Sequence, residues 1–308
     1  MRLRILGSAA GGGFPQWNCN CPGCQAVRDG HPGVHSCTQS SIAIQAASES
    51  WFLVNASPDI RQQLEQLRDL PPNSSPTTIR SSPIAGIVLS DAEIDHTAGL
   101  MILRESVEPL QIYSTETVRK ALTEGFPLLR VLKDYCGVQW FNLEPGSSIY
   151  LGNHKQSSLV VEPFLLPAKP PKYMRSSFSG EGSWVVGLTF RDLSNGSILT
   201  YAPALADLSN SVLERFAASD CILVDGTCWQ DSDLVNLGMS TRTARSMGHL
   251  PLSGADGSLV KLAQLSRPRK ILIHINNTNP ILIPGSVERQ QVEASGVEVG
   301  YDGLMIEL

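Results

Sequence analysis

No apolar run in this sequence approaches the roughly 20 residues that a membrane-spanning helix needs, so no membrane span is expected. An excess of basic charge is also missing: 24 Lys and Arg stand against 29 Asp and Glu, a formal net charge of −5. That balance removes the footprint expected of a nucleic-acid or anionic-membrane binder. An export signal is not expected either, because Met1-Arg2-Leu3-Arg4 and Ile5-Leu6 run at once into Gly7 and Gly11-Gly12-Gly13. A first strand entering a glycine turn, in a cytoplasmic protein, is the expectation. There is no short-period repeat and no low-complexity tail. What is present is a chain of 308 residues, 42% hydrophobic and 17% charged, able to bury a sizeable core. Its length suits one large α/β domain or two small ones.

The seven cysteines are an odd number, and three of them fall within six positions as Cys19-x-Cys21-x2-Cys24. Without an export signal, metal binding fits this spacing better than a disulfide framework. Three thiolates in one turn of loop match a structural zinc site, which needs a fourth ligand from elsewhere. Pro22 fixes the backbone and Gly23 permits the tight return. Cys37, Cys136, Cys221 and Cys228 are scattered and read as buried thiols.

Strands are expected near Ser41–Gln45 and Trp51–Asn55, with a turn at Glu49-Ser50. A helix should start at Ser57-Pro58-Asp59 and stop before Pro71-Pro72, where a polar Pro/Ser/Thr loop begins. Ile84–Leu89 is an apolar run without alternation, as in a strand buried on both faces. It feeds Asp91, Glu93, Asp95 and His96, with a helix from Thr97. Later strands are expected at Ser158–Phe164, Trp184–Arg191, Ser197–Tyr201, Cys221–Val224 and Lys270–His274, and a long loop at Pro167–Ser183. Strands grouped in each half, with helices after them, suggest two sheets face to face with helices outside.

Three carboxylates and an imidazole within six residues repel one another unless a cation or solvent separates them. At the end of a buried strand, this cluster reads as a metal site rather than a solvated turn. His274, His249 and Asp225 each close or follow a strand or turn, and none is persuasive alone. Asp225 could simply satisfy the amides of Asp225-Gly226-Thr227.

Taken in order, Leu6-Gly7-Ser8-Ala9-Ala10-Gly11-Gly12-Gly13-Phe14-Pro15-Gln16-Trp17-Asn18-Cys19-Asn20-Cys21, Asn55-Ala56-Ser57-Pro58-Asp59-Ile60, Ile94-Asp95-His96-Thr97, Tyr201-Ala202-Pro203, Val224-Asp225-Gly226-Thr227, Met247-Gly248-His249-Leu250 and His274-Ile275-Asn276-Asn277-Thr278-Asn279-Pro280 span almost the whole chain. The chain thereby resembles the family of pyrroloquinoline quinone (PQQ) biosynthesis protein B, a distant branch of the metallo-β-lactamase superfamily. The resemblance implies one αββα sandwich domain over residues 1–308 and a cytoplasmic homodimer supported by the cysteine–zinc motif. It implies iron- and dioxygen-dependent hydroxylation of the tyrosine ring in a cross-linked Glu–Tyr precursor of PQQ. A carrier moving PQQ or its precursor towards the periplasm is the alternative, and the wider superfamily adds a metal-dependent hydrolase or phosphodiesterase.

The departures from the superfamily bear on the chemistry. Its pattern His-x-His-x-Asp-His stands here as Asp91-x-Glu93-x-Asp95-His96, so both leading histidines are carboxylates. The later ligand histidine falls near Ala168, and the bridging aspartate near Ala202 or Pro203. The two-zinc hydrolase site is therefore incomplete. Asp95, His96 and His274 match the ligands of the remaining metal. Two histidines and one carboxylate are the set used by non-haem Fe(II) oxygenases. Asp91 and Glu93 would complete the shell, orient water or act as base for the phenol. His249 would move a proton or support the site, with Asp225 orienting it. Related cysteine-motif proteins place a fourth zinc ligand three residues beyond the last active-site histidine, which is Asn277 here. The alternative is a ligand that the motif does not single out, including His31 or His35 nearby in sequence.

Overall fold

The computed structural model describes residues 1–46, 50–68, 79–152, 157–176 and 182–308. These residues form two compact units, each drawn from separate stretches of chain. The first comprises Met1–Leu6, Ser41–Ser197 and Gly303–Leu308; the second comprises Gly7–Ser40 and Ile198–Asp302. No helix among the described residues is long and apolar enough to cross a membrane.

In the first unit seven strands lie in the order Met305–Glu307, Arg2–Gly7, Ser41–Gln45, Trp51–Val54, Ile84–Val88, Leu110–Ser114 and Val138–Asn142. Met305–Glu307 runs antiparallel to Arg2–Gly7, and Ser41–Gln45 antiparallel to Trp51–Val54. From Trp51–Val54 onward the pairing is parallel. Parallel strands are covered on both faces, which is why Ile84–Val88 carries no alternation and is buried from Gly86 on. Ile149–Tyr150, Leu159–Leu165 and Val186–Asp192 form an antiparallel set in the same unit. Leu53, Ile60, Leu89, Leu100 and Ile112 lie at the centre of its core.

The helix expected from Pro58 begins later, at Ile60, and runs to Arg68. Ser57 Oγ accepts from the Asp59 amide at 3.2 Å and donates to Gln63 at 2.9 Å, which spends the preceding residues on a bend. The helix expected from Thr97 begins earlier, at Ile94, and continues after Thr97 as a tighter turn over Ala98–Glu105. The polar loop expected after Pro71-Pro72 falls largely on residues 69–78, and part of the Glu49 turn and of the Pro167–Ser183 loop also lies outside the described residues.

Gly99 sets how closely that Ile94–Glu105 segment approaches the chain at Ala56. Its amide donates to the Ala56 carbonyl at 2.9 Å, and a Cβ there would sit 2.1 Å from the Ser57 carbonyl oxygen. Backbone cannot yield as a flexible side chain can. Gly99→Ala is therefore expected to destabilise the protein by about 1–3 kcal/mol or more, read as a lower denaturation midpoint in urea.

The second unit is built on parallel strands Ile198–Ala202, Cys221–Asp225, Arg269–Ile273 and Glu298–Val299. Cys221–Asp225 is buried throughout. Its helices include Asn210–Ala218, Ser258–Ala263 and Val287–Ala294, the last capped by Ser286 Oγ, which accepts from the Arg289 amide. The carboxyl ends of parallel strands are where open α/β sheets present ligand-binding groups. Asp225 pairs with Ile273 there, and His274 follows directly beyond the strand.

Candidate metal centres

In the first unit, the strand Ile84–Val88 delivers a buried polar chain. Asn55, at φ +61°, holds Ser90 through both of its amide atoms: Nδ2 donates to Ser90 Oγ at 2.9 Å, and Oδ1 accepts from the Ser90 amide at 3.0 Å. Ser90 Oγ lies 2.7 Å from Asp91 Oδ2, and the Glu93 amide donates to Asp91 Oδ1 at 2.9 Å. Asp91 Oδ2 is also 2.7 Å from His96 Nδ1. Both residues are buried. With Nδ1–H donating to the carboxylate, the neutral form of His96 carries its lone pair on Nε2, the arrangement of metal-ligating histidines. Nε2 is 3.8 Å from Asp95 Oδ2.

Burial works to raise the Asp91 carboxyl, but the charge and hydrogen bonds of His96, Ser90 and Glu93 outweigh it and hold the group below its usual range. Burial disfavours the His96 imidazolium, yet Asp91 and Asp95 push it up to about 9. Glu93 reaches solvent. Its carboxyl is nevertheless pushed up to about 7, by partial desolvation and by the Asp91 and Asp95 charges. Tyr173, which no sequence pattern singled out, donates its hydroxyl to the Ala92 carbonyl at 2.6 Å beside this cluster. If Asp91 works through His96, Asp91→Asn should weaken binding of a divalent metal by roughly 10–100-fold. Chelator competition measures this, and unaltered affinity would remove the role.

In the second unit, Asp225, His249 and His274 carry ligand-type atoms within 4.8 Å of one another. Asp225 is fully engaged. Oδ1 accepts from the Thr227 amide at 2.9 Å and hydroxyl at 2.6 Å; Oδ2 accepts from the Leu205 amide at 2.8 Å and lies 2.7 Å from His249 Nδ1. Burial would raise this carboxyl, but His249, His274 and Thr227 hold it below its usual range. The His249 and His274 rings stack at 5.3 Å and 20°. His274 adopts φ +53°, a left-handed conformation costly for a residue with a Cβ and common at functional sites.

Cys19, Cys21 and Cys24 bring their sulfur atoms within 4.8 Å of one another, also in the second unit. The helix Pro22–Arg28, begun by Pro22, carries Cys24 into a small core with Ala9, Phe14 and Cys19. The glycine turn takes positive φ at Gly12 and Gly13, and Phe14 and Cys37 exchange backbone hydrogen bonds beneath it. Asp302 ties both ends of the loop, accepting from the amides and hydroxyls of Ser8 and Thr38 at 2.7–2.9 Å. Of the residues named for a fourth contact, Asn277 is at the sulfurs, with Nδ2 3.3 Å from Cys24 Sγ and 3.8 Å from Cys21 Sγ. His31 and His35 are exposed and outside the group. Rotating the Asn277 amide would exchange a donor to thiolates for an oxygen that a cation accepts. Desolvation and the neighbouring sulfurs push the Cys21 thiol up to about 12, because thiolates this close repel without a cation between them.

The description "Beta-lactamase superfamily domain" fits residues 50–275. Over the full length of both chains, the sequence is 44% identical to coenzyme PQQ synthesis protein B of Methylococcus capsulatus and 45% identical to that of Pseudomonas fluorescens. The solved structure of Zn2+-bound PqqB from Methylobacterium extorquens matches with a TM-score of 0.87 at 36% identity, again covering all of both chains. The expected fold class, an α/β sandwich of the metallo-β-lactamase type, is thereby established. The chain belongs to the coenzyme PQQ synthesis protein B family of the β-lactamase superfamily.

Proposed function

We propose that, within the PQQ synthesis for which its family is named, this chain is a non-haem iron hydroxylase of the tyrosine ring in a cross-linked Glu–Tyr precursor. The observation that supports this reading most is the engagement of Asp91. It stands where the superfamily has its first ligand histidine, and its oxygens are taken by Ser90, His96 and the Glu93 amide. A carboxylate so occupied suits orienting His96 better than holding a second metal. That favours a mononuclear set of Asp95, His96 and His274 over a two-metal hydrolase.

Iron(II) held by that set would supply the binding and reduction of dioxygen. One oxygen atom would enter the ring and the other leave as water, with two electrons from an external reductant and two protons from solvent. In this reading Asp91 fixes His96, Glu93 accepts the phenol proton, and Asp225 orients His249 for proton transfer. Cys19, Cys21 and Cys24, with Asn277, hold a structural zinc that supports a cytoplasmic homodimer.

Anaerobic loading with Fe(II), followed by precursor, reductant and oxygen, tests the proposal. Oxygen consumption matched to a product one oxygen atom heavier is the expected result. Stoichiometric precursor binding without oxygen uptake would instead support a carrier. Cleavage of phosphodiesters with added zinc or manganese would point to a hydrolase.

A further inference from the structure

We infer that Thr227 is a positioning residue that fixes the ring tautomer of His274 and so decides which nitrogen that histidine offers to a metal. The inference rests on the reading of His274 as a ligand. Thr227 is buried, two residues beyond the strand Cys221–Asp225. Its Oγ1 lies 2.6 Å from Asp225 Oδ1, 2.8 Å from the His274 carbonyl oxygen, 2.9 Å from His274 Nδ1 and 3.1 Å from His249 Nδ1.

A hydroxyl has one proton to give and two lone pairs to receive. The carboxylate and the carbonyl can only accept, and the proton goes to the closer, charged partner, Asp225. The oxygen's lone pairs then face two ring nitrogens, each of which must donate. His249 Nδ1 has a better acceptor in Asp225 Oδ2 at 2.7 Å. The hydroxyl oxygen therefore receives the Nδ1–H of His274, and the His274 lone pair sits on Nε2. The opposite tautomer would draw the hydroxyl proton towards His274 and leave two oxygens 2.6 Å apart with no proton between them. Packing alone would ask only for the shape of threonine, which valine shares. The hydroxyl is what the network requires.

Two readouts test this without turnover: histidine ring tautomers by 15N NMR on the metal-free protein, and affinity for Fe(II) alone by anaerobic chelator competition. Wild type and Thr227→Ser should show His274 as the Nδ1–H tautomer and bind Fe(II) similarly. Thr227→Val should show a mixed tautomer and bind Fe(II) roughly 10–100-fold more weakly, while an unchanged circular dichroism spectrum reports its folding. Wild-type His274 carrying its proton on Nε2 would overturn the inference, whatever the variants do. So would Thr227→Val binding Fe(II) as wild type does. His274→Ala separates the two levels: if it binds Fe(II) unchanged, the ligand reading falls and the inference with it. If it weakens binding while Thr227→Val does not, Thr227 alone is wrong.

Discussion

On the proposed reading, replacing His96 with alanine is expected to abolish Fe(II)-dependent ring hydroxylation and to remove iron from the site. Losing an outer partner of a metal ligand costs roughly 10–100-fold, and removing the ligand itself should cost more. A second effect comes from Asp91, whose buried carboxylate would lose the imidazole 2.7 Å away. Breaking a buried charge pair costs about 3–5 kcal/mol, so the variant should also unfold at lower denaturant concentration. His96→Gln separates the two effects, because its amide can still donate to Asp91 while offering a far poorer metal ligand. Loss of iron and turnover in both variants, with stability partly restored in His96→Gln, is the expected pattern. Full turnover with stoichiometric loss of iron would sink the assignment.

The other large effect is expected at the cysteine cluster. Cys24→Ser should remove one equivalent of bound zinc, measured by elemental analysis, and lower the midpoint of thermal unfolding. Structural zinc contributes about 10–16 kcal/mol of apparent binding energy where folding depends wholly on it. Here the neighbouring strands supply stability of their own, so only part of that coupling should appear. Cys24 is buried against Phe14 in the loop's small core, so the damage should concentrate there. An added chelator should reproduce the loss in wild type. A variant that keeps its zinc would show that Cys24 is not a ligand.

The parts legible from sequence were those whose signal is local. The apolar run at Ile84–Val88 gave its strand, and the crowding of Cys19, Cys21 and Cys24 gave their cluster. The helix start at Ile94 was misplaced because Glu93, at its cap, makes no side-chain capping bond, so the usual signature is missing. The strand Val138–Asn142 went unnoticed because it lies at a sheet edge and is only partly buried, which blurs its pattern. Asp225 shows the limit most clearly. It satisfies the amide two residues ahead, as a local reading suggests, and also binds His249, 24 residues away. Nothing in the spacing of Thr227 announces its four partners, since His274 reaches it through the pairing of strands and His249 from the turn after the helix Ala244–Met247. The resemblance identified the histidines, but the hydrogen bonds that orient them became visible only in three dimensions.

The pairing of Arg2–Gly7 with Met305–Glu307 carries a consequence for how the chain is made. At roughly 5–20 residues per second of synthesis, the first strand leaves the ribosome about 15 seconds or more before the segment that covers its edge exists. During that interval an open edge containing Leu3 and Ile5 is available to other extended chains. Nascent protein should therefore depend on holding chaperones more than its final stability would suggest, and that dependence should end with the arrival of the last strand.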